Sequence, residues 1–186
     1  LRPEELAWIQ NQPSGREVSA PAPSWRSLFR DRRVLGITIA GFLGDPVWWL
    51  FLVWLPLYLY KDRGLSLTTI GFLAWIPFLL ADAGALSGGW FSGWLVRRGW
   101  KPPRARGAAI LIATVLAPLG ALVTIAQSVS VAIVFISVEL FAFQFWINNV
   151  QTLVSDYFPN ETVASVSGLA GTSAGIGARI FMLCTG

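Results

Sequence analysis

After residue 33 the chain is built from long apolar runs separated by short polar connections, at about 34–60, 69–96, 108–127, 130–155 and 163–186. At roughly 1.5 Å of rise per residue, each run spans a hydrocarbon layer about 30 Å thick, so the pattern predicts five transmembrane helices. The first run holds one acid, Asp45, with Pro46 and Pro56. The second holds Asp82 and Pro77 and ends in the basic block Arg97, Arg98, Lys101, Arg104, Arg106. Pro102 and Pro103 are expected to stop the helix there. The third carries no charge and one proline, Pro118. The fourth contains Glu139, Gln144, Asn148, Asn149 and Gln151, and the fifth contains Arg179.

Residues 1–33 are more polar. They divide into a Glu-containing stretch, a Pro/Ser-rich linker over 12–24, and a basic stretch over 25–33 in which Trp25, Leu28 and Phe29 share one helical face. That stretch is expected to lie on the membrane surface with its arginines near anionic lipid; the alternative is a solvated linker feeding the first helix. The opening has no short apolar run behind a basic start, so no signal peptide is expected and the beginning reads as internal to a longer protein. Counting Lys and Arg on alternate sides of the five spans gives eleven against two, the two being Lys61 and Arg63. By the positive-inside rule, the N-terminal segment and the 97–106 loop are expected in the cytoplasm of a multi-pass protein of the cell's inner (plasma) membrane.

Composition agrees with lipid as the solvent. Hydrophobic residues make up 54% and charged residues 13%, against about 25% charged in a soluble domain. Ten Trp and twelve Phe exceed what a soluble core of this size needs. The net charge of +4 sits in short blocks between apolar runs, not along one polar face, so no nucleic-acid partner is expected. His is absent and Cys184 is the only thiol, which excludes His-based triads, HExxH and CxxC metal sites and intrachain disulfides. No metal, no cofactor and no enzymatic chemistry are expected.

A charge at mid-bilayer costs on the order of 2.5–3.5 kcal/mol on insertion scales, so Asp45, Asp82, Glu139 and Arg179 each call for a partner or a water-filled cavity. Asp45 lies roughly 16 Å into the first helix and Glu139 roughly 14 Å into the fourth from the other side, both near mid-depth. A charge network of Asp45, Glu139 and Arg179 is therefore expected, with Arg179 as the cation; the alternative is direct contact with an anionic substrate. Gln144, Asn148 and Gln151 recur at spacings of four and three and form one polar stripe, with Asn149 beside it. Their amides suit hydroxyls and carboxylates of a polyol acid; the competing role is interhelical hydrogen bonding. Asp45, Pro46, Trp48 and Trp49 place an acid, a helix distortion and two indoles within one turn, where the indoles stack on a sugar ring or simply pack. Candidate substrate-binding residues are thus Asp45, Trp48, Trp49, Gln144, Asn148, Asn149 and Gln151. Gly84, Gly88, Gly89 and Gly93 with Ala81 and Ala85, and Gly168, Gly171 and Gly175 with Ala174, are expected to be small-residue packing faces.

Four stretches carry a family resemblance: GDPVWWLFLVWLPLYL over 44–59, GGWFSGWLVRRG over 88–99, QFWINNVQTLVSDYFP over 144–159 and SVSGLAGTSAGIG over 165–177. Together they resemble the major facilitator superfamily, its anion:cation symporter branch and, within it, the hexuronate permeases. The resemblance implies an all-α membrane protein. It implies the C-terminal half-bundle of a twelve-helix fold, with five helices corresponding to helices seven to eleven, residues 1–33 as the cytoplasmic central loop with an interfacial helix, and 34–186 as the transmembrane bundle without its final helix. The first and fourth helices would line the substrate cavity. Phe143, Arg97 and Arg179 depart from the branch pattern, which has His, an acid and an apolar residue there. The implied function is proton-coupled symport of a hexuronate or related sugar-acid anion by alternating access, with the lipid bilayer and a missing N-terminal half-bundle as further partners. The alternatives are an integral membrane transferase using Asp45, Asp82 or Glu139 as acid or base, and a truncated fragment without function of its own.

Overall fold

The computed structural model describes residues 24–185. The Glu-containing stretch and nearly all of the Pro/Ser-rich linker lie outside the described residues. Among the described residues seven α-helices follow one another: α1 Trp25–Leu28, α2 Arg32–Lys61, α3 Leu67–Leu73, α4 Trp75–Arg97, α5 Pro102–Leu116, α6 Val129–Tyr157 and α7 Asn160–Thr185, with a 3-10 segment Ala117–Ile125 between α5 and α6. Counting α3 with α4, and α5 with the 3-10 segment, five helical spans are long and apolar enough to cross a membrane. Leu43, Leu86, Leu111, Val115, Ile125 and Leu183 stay at least 65% exposed. Leucine and valine left open in this way fit acyl chains as surroundings and would be unfavourable in water.

Helix ends follow local chemistry. The Asp31 carboxylate accepts the Arg33 amide proton at 2.8 Å and caps α2. The Ser66 and Ser128 hydroxyls do the same for α3 and α6. The second span breaks at Ala74 because Pro77 has no N–H to return to the Leu73 carbonyl. Pro118 likewise denies a partner to the Thr114 carbonyl, and the third span continues as 3-10 from Ala117. Pro102 and Pro103 differ from expectation. The preceding helix already ends at Arg97, Gly99 turns the chain at φ +89°, and the two prolines open α5, where a missing N–H costs nothing.

Two tight helix pairs organise the bundle. α4 packs on α6 through Gly84 and Gly88, where an added Cβ would overlap the Phe141 carbonyl oxygen and meet the Phe145 carbonyl oxygen at 2.9 Å. α2 packs on α7 through Gly41, which faces Ala170 and Ala174, and through Gly177, which faces the Phe42 backbone. Ser173 adds a hydrogen bond to the Thr38 carbonyl, 3.1 Å. The expected small-residue face of α4 therefore holds at Gly84, Gly88 and Ala81, but Gly89 has open space beside it. On α7 the prediction holds at Ala174 and is corrected at the three glycines. Gly168, Gly171 and Gly175 face open space, because the turn that meets α2 carries Ala170, Ala174 and Gly177.

α6 is the centre. Half of its apolar window is buried, against 17–22% for the other spans. Leu28, Val34, Ile37, Val150, Val154 and Val166 form a cluster at one end; Leu55, Leu59, Ile70, Ala81, Ile136 and Leu140 form another toward the opposite end. α1 is a single turn. Leu28 is buried, while Trp25 and Phe29 stay exposed, so the three residues do not face the protein together.

The basic segments 26–33 and 97–106 lie at the same end as the α6 terminus. Arg33 sits over the rings of Tyr157 and Phe158, at 5.7 and 5.1 Å, and Arg106 pairs with Asp156. At the other end, Arg63 donates to the Tyr58 hydroxyl at 2.7 Å and to the Ala126 carbonyl at 2.6 Å.

Candidate substrate cavity

The Pro46 turn of α2 projects side chains in two directions. Asp45 and Trp49, four residues apart on one face, point to a cavity of about 510 Å³ formed with α6 and α7; Gln151, Ile147, Ser167 and Gly171 complete its wall. The Trp49 indole donates to the Asp45 carboxylate, Nε1 to Oδ2 3.1 Å, which fixes the acid's orientation. Gln151 is exposed on this wall. The cavity therefore joins an oriented carboxylate, an aromatic face and an amide. It is sized within the roughly 300–1,000 Å³ of small-molecule sites.

The remaining predicted residues are placed elsewhere. Trp48 turns into the bundle, stacked on Phe143 at 5.8 Å and edge-on to Phe78 at 5.7 Å. Asn148 donates to the Ala85 carbonyl of α4, 2.9 Å, and so serves interhelical bonding. Asn149 is 1% exposed; its Nδ2 donates to the Phe145 carbonyl of its own helix, and its Oδ1 has no partner. Gln144 is half-buried at the same helical phase as Gln151. Of the seven candidates, Asp45, Trp49 and Gln151 share one cavity.

The expected charge network is not formed. Among the described residues the ion pairs are Arg33–Asp31 and Arg106–Asp156, and neither involves Asp45, Glu139 or Arg179. Similar depth did not bring the three together because they leave their helices in different directions. Asp45 faces α7, Glu139 faces the 3-10 segment at Gly120, and Arg179 is exposed on the outer side of α7. Asp82 is also exposed. The pairing that periodicity missed joins three helices: Arg106 on α5 bonds to Asp156 on α6 and to the buried Ser92 hydroxyl on α4. Its sequence signal is an acid at the end of the fourth apolar run facing the basic block after the second.

Five membrane-length helical spans, three of which line this cavity, without a strand among the described residues, define a partial helical bundle of a membrane protein. The profile described as Major Facilitator Superfamily matches residues 1–182, and the chain belongs to that family. It is 32% identical over 192 residues to the hexuronate transporter of Escherichia coli (strain K12), covering 100% of this chain and 44% of that protein. It is 32% identical over 164 residues to the probable L-galactonate transporter of the same organism, covering 87% of this chain and 36% of the relative. With the probable galactarate/D-glucarate transporter GarP it shares 26% identity over 180 residues, covering 94% and 39%. The chain thus spans less than half the length of these relatives, each of which is named for transport and not for an enzymatic reaction.

Proposed function

We propose that this chain is part of a secondary transporter that imports a hexuronate or a related sugar-acid anion by proton-coupled symport, its cavity opening to one side of the membrane at a time. The observation that carries the reading is the convergence of Asp45, Trp49 and Gln151 on one cavity within a member of a transporter family whose relatives here are named for sugar acids. Asp45 accepts hydrogen bonds from sugar hydroxyls, Trp49 offers its ring to the sugar face, and the Gln151 amide both donates and accepts. Asp45 does not attract an anion, so the substrate carboxylate takes its counter-ion from the other half-bundle of the intact transporter. The end that gathers Arg26–33, the 97–106 loop and Asp156 faces the cytoplasm of the inner membrane, on the eleven-to-two distribution of basic residues.

The test is counterflow of labelled glucuronate or galactonate into proteoliposomes containing the full-length transporter. Exchange that Gln151→Ala and Asp45→Asn weaken, with unchanged membrane insertion, is the expected result. Absence of exchange with every sugar acid tried would remove the substrate assignment.

A further inference from the structure

Among the described residues, Asp45 is the one titratable side chain lining the cavity of about 510 Å³; the other polar groups in its wall, Trp49, Gln151 and Ser167, are neutral. The basic residues of the three lining helices stay away from it. Arg32 and Arg33 open α2 and Lys61 closes it, α6 has no Lys or Arg, and Arg179 is exposed on α7 and lies outside the wall. Neither ion pair among the described residues involves Asp45. The side of the cavity that this chain supplies therefore carries one negative charge and nothing to offset it. The Trp49 indole, bonded to Oδ2 at 3.1 Å, holds that charge in place.

Such a wall divides sugar acids by their number of carboxylates. A monoacid whose carboxylate is held by the other half-bundle presents hydroxyls to Asp45, and each hydroxyl can donate to it. A diacid of the same length has no such orientation. Whichever end lies against Asp45 brings a second carboxylate, so acceptor meets acceptor and charge meets like charge. Selectivity then comes from a repulsive group set against the competitor, as well as from the bonds made to the preferred ligand.

We propose that Asp45 makes this cavity selective for sugar monoacids over sugar diacids, accepting hydrogen bonds from hydroxyls and repelling a second carboxylate. This rests on the sugar-acid transport proposed above and narrows its substrate to acids with one carboxylate.

Competition in counterflow tests it, with the full-length transporter in proteoliposomes at about pH 7, where sugar carboxylates are ionised. The competitors are taken in pairs that differ by one carboxylate, galactonate with galactarate and glucuronate with glucarate, against whichever of labelled galactonate or glucuronate exchanges. Each diacid should compete at least about tenfold more weakly than its monoacid, the lower end of what a like-charge contact costs. Asp45→Asn should close that gap to within about threefold, Asp45→Glu should keep it, and Gln151→Ala should weaken both acids alike. Diacids competing as well as monoacids against the unaltered protein, or an undiminished gap in Asp45→Asn, would overturn the selectivity while leaving sugar-acid transport in place. Exchange with no sugar acid at all removes the transport reading, and the selectivity with it. The competition on the unaltered protein decides the matter even where a variant fails to fold.

Discussion

Arg106 on α5 and Asp156 near the end of α6 form an ion pair, Nε to Oδ2 3.2 Å, with both side chains 17% exposed, and the same guanidinium donates to the Ser92 hydroxyl on α4. One cation therefore ties three helices at the basic end of the bundle. Removing it leaves a half-buried carboxylate and a fully buried hydroxyl short of a donor. Arg106→Ala is expected to destabilise the bundle by about 1.5–3 kcal/mol, the scale of hydrogen bonds to charged groups. Thermal unfolding in detergent reads the effect, and an unchanged midpoint would show the pair to be energetically silent.

Close helix approach makes a sharper prediction. Gly84→Ala drives a methyl group into the Phe141 carbonyl oxygen of α6, a backbone atom that cannot rotate away. The cost is expected at about 1–3 kcal/mol, the range for overpacking. Gly171→Ala, with open space at the Cβ position, should stay within about 0.5 kcal/mol. Equal effects at both sites would mean that the α4–α6 contact is looser than described.

Asp31 links pH to the start of α2. Its carboxylate caps the helix and is hydrogen-bonded by the Arg33 side chain, which holds its pKa below the ordinary aspartate value. The folded pKa is depressed, so this contribution is fully present above the unfolded value of about 4 and is lost as pH falls through the folded pKa. Asp31→Asn keeps an N-cap and should abolish that acid dependence; Asp31→Ala should cost about 0.5–2 kcal/mol at neutral pH. Amide exchange at Arg33 and Val34 measures both. Identical acid dependence with and without the carboxylate would remove Asp31 as its source.

The spans were legible in the sequence because membrane thickness and helix rise translate length directly into crossings, and no rival structure satisfies so long a run of backbone groups in lipid. Helix rotation was legible only within one helix. The spacing of Gln144, Asn148 and Gln151 gave them a common side, yet Asn148 meets the Ala85 carbonyl while Gln151 meets the cavity, because α4 covers part of that side. Depth alone suggested that Asp45 and Glu139 belong to one network with Arg179. Their directions depend on how α2 and α6 are turned against their neighbours, and no single-helix periodicity contains that. The change to 3-10 at Pro118 was hidden for a related reason. A proline predicts the loss of one hydrogen bond, but whether the chain kinks, stops or tightens is decided by what packs beside it. Here Gly120 accepts the Glu139 side chain, with room for no Cβ between them.

That same division of the polar stripe separates binding from interhelical bonding by experiment. Asn148 spends its amide on a carbonyl of α4, so Asn148→Ala should lower bundle stability by about 0.6 kcal/mol and by no more than about 1.7. Its effect on substrate affinity should follow only from that loosening. Gln151 lies exposed on the cavity wall, so Gln151→Ala should leave the unfolding midpoint in place and raise the concentration of sugar acid needed for half-maximal uptake by about two- to tenfold, one net hydrogen bond's worth. Measuring unfolding and uptake on both variants in the full-length transporter sets the two roles side by side. If Asn148→Ala proves the more damaging to affinity while stability is untouched, the helix-bonding role belongs to neither residue. The substrate surface would then have to be redrawn toward α4.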